Sequence, residues 1–114
     1  MIDCIFCRIA SHEIPATIVY EDEQVIAFED IDPQAPVHVL IVPKKHIAAL
    51  TDLRENEFEL LQQMVLTART VAVMKHVNHS GFRIVFNCNS DGGQTVYHLV
   101  AHLLGGRKMN WPPG

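Results

Sequence analysis

Five short stretches of the chain carry the hydrophobic and polar patterns of β-strands. The first two are rich in β-branched and aromatic residues, and the last alternates polar and apolar positions. A turn at Asp22-Glu23 joins the first two into a hairpin. The predicted strands comprise residues 17–21, 24–29, 37–42, 82–87 and 97–104.

Two other stretches show helical spacing. Ile5, Phe6 and Ile9 predict a short helix that ends near residues 11–12. A long amphipathic helix of roughly six to seven turns follows a capping-box signature at Asp52 and Glu55. We expect this helix to end at residues 78–81, where Gly81 can adopt the left-handed conformation.

The last predicted strand places two imidazoles on an otherwise apolar face. His98, Val100 and His102 share this face, with the two histidines about 13 Å apart by strand rise. They therefore cannot both contact one small atom. One could serve a ligand while the other has a separate role. We interpret the strand as the floor of a site for a phosphate-bearing ligand.

A glycine-rich loop precedes this strand. Gly92-Gly93 would let the backbone approach a ligand closely and direct its N–H groups inward. Neutral side-chain donors lie around it, which suits the oxygens of a phosphate. The simpler alternative is a hairpin turn without a ligand. The donors are Asn87, Ser90, Gln94 and Thr95.

Cysteines and other histidines suggest a second site. Cys4 and Cys7 have the Cys-x-x-Cys spacing of zinc ligands, and His46 and His98 could complete a tetrahedron. The alternative is a pair of reduced thiols that pack the first helix. His38 lies in the middle of an apolar strand, where a buried structural histidine is the alternative to a functional one.

Length, composition and charge indicate the class of protein and argue against two kinds of partner. A chain of 114 residues with 48% hydrophobic and 19% charged residues is expected to form one globular domain. Its net charge of −4 argues against a nucleic-acid partner. We find no stretch long enough to span a bilayer and no secretory signal. The expected location is therefore the cytoplasm, with no membrane partner.

The chain resembles the histidine triad family, in the branch of histidine triad nucleotide-binding proteins. The resemblance implies an α+β fold with a five-stranded antiparallel sheet, one long helix and one short helix, extended to ten strands in a homodimer. It also implies binding of a purine nucleoside monophosphate (AMP or GMP) and hydrolysis of AMP phosphoramidates through a nucleotidyl-histidine intermediate. The segments that carry it are Cys4-Ile5-Phe6, residues 28–31, 33–36 and 42–47, His38, Asn87, residues 90–94 and 111–114.

The resemblance also implies roles for individual residues. His38 would organise the histidine network, Asp30 would bind the ribose, and Trp111 would reach the partner's site. The base pocket would be lined by Ile5, Phe6, Ile9, Ile31 and Leu40, and the α-phosphate surrounded by Asn87, Gly93, Gln94, Thr95 and His102. Some members that begin with Cys-x-x-Cys hold a structural zinc ion, here through Cys4, Cys7, His46 and His98.

One position departs from the family motif. The middle histidine of the triad, which attacks phosphorus in the family, is Val100 in this chain. Valine has no lone pair and cannot form the covalent intermediate. We therefore expect a nucleotide-binding protein of hydrolase ancestry whose catalysis is lost or much reduced. The alternatives are a hydrolase that acts through water or His102, and a dimeric regulatory protein.

Overall fold

A single antiparallel sheet forms the centre of the computed structural model, which describes residues 3–114. The strand order is β1-β2-β3-β5-β4. This architecture confirms the α+β fold with five strands, one short helix and one long helix. The strands are β1 (Ile18–Glu21), β2 (Val25–Glu29), β3 (Val37–Pro43), β4 (Phe82–Val85) and β5 (Ala101–Gly105), and the helices are α1 (Ile5–Ala10) and α2 (Phe58–Met74).

The two helices cover opposite faces of the sheet. Successive strand side chains point to opposite faces, so Val39 and Ile41 pack in the α2 layer, whereas Leu40 and Val42 pack in the α1 layer. Double coverage explains why β2 and β3 read as nearly continuous apolar runs. Among the described residues, no helix has both the length and the apolar character needed to cross a membrane.

The predicted strand 97–104 is wrong in its first half. Regular pairing begins only at Ala101, and residues 96–98 form a bend. The Leu99 N–H donates to the Ile47 carbonyl at 2.7 Å. Because of this bond, residues 97–99 do not join the β3–β5 pairing. His98 is fully buried there, so the shared face and the strand-based separation predicted for His98 and His102 do not hold.

The long helix also starts later than predicted. Residues Leu50–Asp52 and Glu55–Glu57 form separate 3₁₀ turns, and α2 has 17 residues. The Glu57 carboxylate accepts the Arg54 backbone N–H at 2.9 Å, so the predicted Asp52–Glu55 capping box is wrong.

The end of α2 differs from the prediction as well. His76, with φ of 59°, is the left-handed residue that ends α2. The Val77 N–H bonds to the Ala72 carbonyl at 2.9 Å, as in a Schellman motif. Gly81 also has a positive φ, but it lies in the turn before β4.

Gly92 is required by a close backbone approach within the loop after β4. A Cβ at this position would lie 2.5 Å from the Cys88 carbonyl oxygen. We predict that Gly92→Ala lowers the free energy of unfolding by about 1–3 kcal/mol in urea titrations, because the loop must open to admit the methyl group. Ser90→Ala, at an exposed position of the same loop, is the control. Equal midpoints for the two variants would contradict this account.

Candidate functional site

A cavity of about 800 Å³ opens on the face of the sheet that carries α1. It brings together almost every residue to which the resemblance assigns a nucleotide contact. Those that line it are Ile5, Phe6, Ile9, Asp30, Ile31, Leu40, Asn87, Gly93, Gln94, Thr95 and His102. Trp111 does not line this cavity and is 84% exposed.

The cavity wall is apolar in one part and polar in another. Side chains from α1, β2 and β3 form the apolar part, and the segment 87–95 with His102 supplies polar groups. Glu29 and Asp30 are the charged lining residues, and no lysine or arginine is among the described residues that line the cavity. An anion bound here would therefore depend on neutral hydrogen-bond donors.

Sequence reasoning missed part of the rim. Residues 14–17 and Val96 also line the cavity. The sequence feature that marks this segment is Ile14-Pro15, which predicts only a break after the first helix. In the structure, Ile14 lies in a bend after α1, and residues 14–17 extend the cavity wall beyond that helix.

Val100 occupies the wall of this cavity beside His102. Its side chain is 7% exposed and packs in the same layer as Leu40 and Phe28. His102 pairs with Leu40 across the β3–β5 ladder, and both line the cavity. Position 100, to which the resemblance assigns the nucleophile, therefore carries an apolar side chain on the same cavity wall as the imidazole of His102.

The imidazole of His102 is hydrogen-bonded to the buried imidazole of His38. The Nε2 atom of His38 lies 3.0 Å from Nδ1 of His102, and the Gln34 backbone N–H donates to Nδ1 of His38 at 3.0 Å. The Asp30 carboxylate lies 3.5 Å from Nε2 of His38. Burial lowers the pKa of His102, His38 adds to this effect, and Asp30 opposes it.

Gln94 has a structural role in the loop. Its Oε1 accepts the Asn89 N–H at 2.8 Å, and its Nε2 donates to the carbonyls of Ala48 and Val96 at 2.8 and 3.1 Å. The side-chain amide thus braces the loop against the segment before the 3₁₀ turns. Of the four donors predicted around this loop, Ser90 alone does not line the cavity, and its side chain is exposed.

A second cluster contains the four residues that the sequence suggested as metal ligands. Cys4 and Cys7 come from the start of α1, His46 follows β3, and His98 lies in the bend before β5. All four donor atoms lie within 4.8 Å of one another. The cluster is separate from the cavity, because none of Cys4, Cys7, His46 or His98 lines the cavity wall.

The cluster geometry fits a tetrahedral zinc ion. Sγ of Cys4 lies 3.4 Å from Nδ1 of His98, and Sγ of Cys7 lies 3.3 Å from Nδ1 of His46. The two Nδ1 atoms are 3.2 Å apart. Zinc bond lengths of about 2.0 Å to nitrogen and 2.3 Å to sulfur give tetrahedral edges of about 3.3 Å and 3.5 Å for these pairs.

Two further features bear on metal binding. Nε2 of His98 donates to the Pro43 carbonyl at 2.7 Å, which leaves the lone pair of Nδ1 facing the thiols. Burial, together with the hydrogen bond and charge of Cys4, raises the pKa of the Cys7 thiol to about 11. A bound cation would compensate for this by stabilising the thiolate.

Comparisons with known proteins agree with the fold. Residues 3–111 match the family model described as "Scavenger mRNA decapping enzyme C-term binding". A crystal structure of a HIT family hydrolase from Legionella pneumophila is 54% identical, with a TM-score of 0.96, and covers 98% of this chain and 100% of that chain. The chain therefore belongs to the histidine triad (HIT) family of nucleotide-binding proteins and hydrolases.

Two similar proteins have names that describe a bound metal or an activity. The "14 kDa zinc-binding protein" of Brassica juncea is 48% identical over 98% of this chain and 100% of its own length. "Adenylylsulfatase HINT1" of Arabidopsis thaliana is 47% identical over 96% of this chain and 76% of its own length. The chain thus has a HINT homologue and a zinc-binding homologue.

The lowered pKa of His102 can be measured directly. We predict that its imidazole titrates below the ordinary value of 6.5 in NMR spectra, because burial disfavours the charged form. The unfolded chain binds the proton first, so this group reduces stability as the pH falls below about 6.5. The same histidine in urea-unfolded protein is the control. If the pKa of His102 in the folded protein were equal to or above its value in the unfolded protein, burial would not disfavour the charged imidazole and this prediction would be wrong.

Proposed function

We propose that this chain binds a purine nucleoside 5′-monophosphate, AMP or GMP, in the cavity and has lost the covalent step of a nucleoside phosphoramidate hydrolase. The observation that carries the proposal is Val100, a side chain without a lone pair beside His102 in a cavity that otherwise keeps its polar groups. The HINT relative named as an adenylylsulfatase supports an adenylyl ligand.

The cavity wall suggests how the nucleotide is held. The base would pack against Phe6, Ile9 and Leu40, and Asp30 would accept hydrogen bonds from the ribose. Asn87, Thr95 and His102 would donate to the α-phosphate. Because these donors are neutral, we expect affinity to depend weakly on ionic strength.

Restoring the nucleophile tests the proposal. We predict that the chain as it stands binds AMP in isothermal titration at millimolar ligand or below, and that it hydrolyses adenosine 5′-phosphoramidate negligibly in a single-turnover assay. Val100→His is expected to raise this rate by several orders of magnitude, because an imidazole then faces phosphorus.

Val96→His is the matched control, since Val96 lines the same cavity at another position. Turnover by the unmodified chain at ordinary enzyme rates would contradict the loss of chemistry. Absence of AMP binding would contradict the proposed ligand.

We further propose a structural zinc ion in the cluster of Cys4, Cys7, His46 and His98. The bond geometry and the zinc-binding relative support it. Zinc would fix α1, whose Phe6 ring lies 5.9 Å from the His98 ring and also lines the cavity. A zinc ion in the cluster should therefore fix the part of the cavity wall that α1 forms.

Removal of a ligand tests both the site and this coupling. We expect one zinc ion per chain by mass spectrometry, lost in Cys7→Ser but kept in the control Cys88→Ser. Zinc loss should weaken AMP binding by about fivefold or more, because the position of α1 is no longer fixed. Equal AMP affinity with and without zinc would refute the coupling, and a zinc-free native protein would refute the site.

The protein is also proposed to form a homodimer. β4 is an edge strand, and α2 exposes apolar side chains on one stripe that includes Leu66 and Val73. Pairing of two β4 edges would extend the sheet to ten strands and cover this stripe. Because Trp111 is exposed, it would be free to reach the partner's cavity.

Sedimentation velocity tests the dimer. We predict a dimer at micromolar concentration that Val73→Glu dissociates, because a carboxylate would be buried without a partner. Gln24→Glu, exposed in the turn at the opposite edge of the sheet, is the charge-matched control. A monomeric native chain, or an unaffected Val73→Glu dimer, would contradict the proposed interface.

A further inference from the structure

A second cavity of about 630 Å³ adjoins the nucleotide cavity beside α1. The two cavities share part of their walls, formed by Ile5 and Ile14 near the start of the chain and by Thr95 and Val96 at the end of the glycine-rich loop. A ligand bound in the first cavity can therefore extend into the second, which we call the α1 groove. The groove is also lined by Asp3, Cys4, Arg8, His46, Ala48 and Tyr97.

The groove opens from the phosphate end of the nucleotide cavity. Thr95 is one of the proposed phosphate donors, and Tyr97 lines the groove only two residues further along the chain. Two residues of extended chain span at most about 7 Å. The proposed base contacts Phe6, Ile9 and Leu40 line the cavity but not the groove. A group that enters the groove is therefore attached to the phosphate and not to the base.

The groove supplies a cation, which the nucleotide cavity lacks. Arg8 is exposed, and within residues 3–114 its guanidinium forms no ion pair. Asp3 also lines the groove and does not pair with it. Tyr97 is 47% exposed, so its ring is accessible from the groove. An unpaired guanidinium beside an accessible aromatic ring suits a ligand group that is both anionic and planar.

An entry path for zinc is the alternative role for this groove. Cys4 and His46, two of the potential zinc ligands, line it as well. The two roles differ in the charge that they require beside the path. The unpaired guanidinium of Arg8 attracts an anion and repels an incoming cation, so its position favours an anionic ligand.

We propose that the α1 groove binds the substituent on phosphorus of an intact adenylyl conjugate, and that this substituent is aromatic and carries a carboxylate. AMP joined through its phosphorus to the nitrogen of phenylalanine is such a ligand. Arg8 pairs with the carboxylate, and the Tyr97 ring packs against the aromatic group. This inference rests on the proposed nucleotide site and names a ligand class for it. Because Val100 cannot attack phosphorus, the conjugate stays intact in the site.

Isothermal titration with three ligands tests the groove. The ligands are AMP, adenosine 5′-(N-phenylalanyl)phosphoramidate with a free carboxylate, and the carboxamide of that conjugate. We expect the carboxylate conjugate to bind about tenfold more tightly than AMP, and the carboxamide about threefold less tightly than the carboxylate, since one exposed ion pair is lost. The preference for the carboxylate should decrease as the salt concentration rises.

Two variants separate the contributions of charge and ring. In Arg8→Gln the carboxylate and the carboxamide should bind equally, whereas Arg8→Lys should keep a preference for the carboxylate. In Tyr97→Ala the advantage of either conjugate over AMP should decrease about threefold, because the ring contact is lost. Arg54→Gln is the matched control, since Arg54 is exposed and lines neither cavity.

The outcomes distinguish this inference from the proposed function. If AMP binds but the carboxylate conjugate binds no more tightly, or if Arg8→Gln keeps the preference for the carboxylate, the groove proposal is wrong and the nucleotide site stands. If ADP gains as much affinity as the conjugate and loses that gain in Arg8→Gln, the groove binds a second phosphate and the aromatic class is wrong. Absence of AMP binding to the native chain would overturn both proposals.

Discussion

Antiparallel pairing of β3 with β5 is the constraint on which both clusters depend. The register places Leu40 opposite His102 and His38 opposite Leu104. At one end of β3, His38 contacts His102, and at the other end the Pro43 carbonyl holds His98. A slip of one residue would turn His102 to the α2 face and break both arrangements.

The short helix α1 connects the two sites. The N-cap residue Cys4 and the helical residue Cys7 supply the two thiols of the cluster of potential zinc ligands. The buried face of α1 supplies Phe6 and Ile9 to the cavity wall. A helix of 6 residues has little stability of its own, so its position must come from tertiary contacts. The Phe6 ring meets Phe28 at 5.6 Å and His98 at 5.9 Å, which joins the sheet, the helix and the cluster.

Much of the fold was predictable because strand and helix periods are local properties of the sequence. The bend at His98 was not, since it depends on a hydrogen bond between Leu99 and Ile47 and on the Pro43 carbonyl. The Cys-x-x-Cys spacing suggested a zinc site, but the four potential ligands come from three separate segments that only the tertiary fold brings together. The bracing role of Gln94 likewise depends on Ala48, which is distant in sequence.

The central claim is that an intact nucleotide cavity has Val100 where the triad motif has its nucleophile. The most direct test is intact-protein mass spectrometry after rapid acid quenching of the native chain with an excess of adenosine 5′-phosphoramidate. The account predicts that the mass of the protein stays unmodified at every time point. The reason is that the side chain of Val100 has no lone pair with which to form a bond to phosphorus. A transient adenylylated protein, with the adduct mapped to any residue of the cavity, would contradict it.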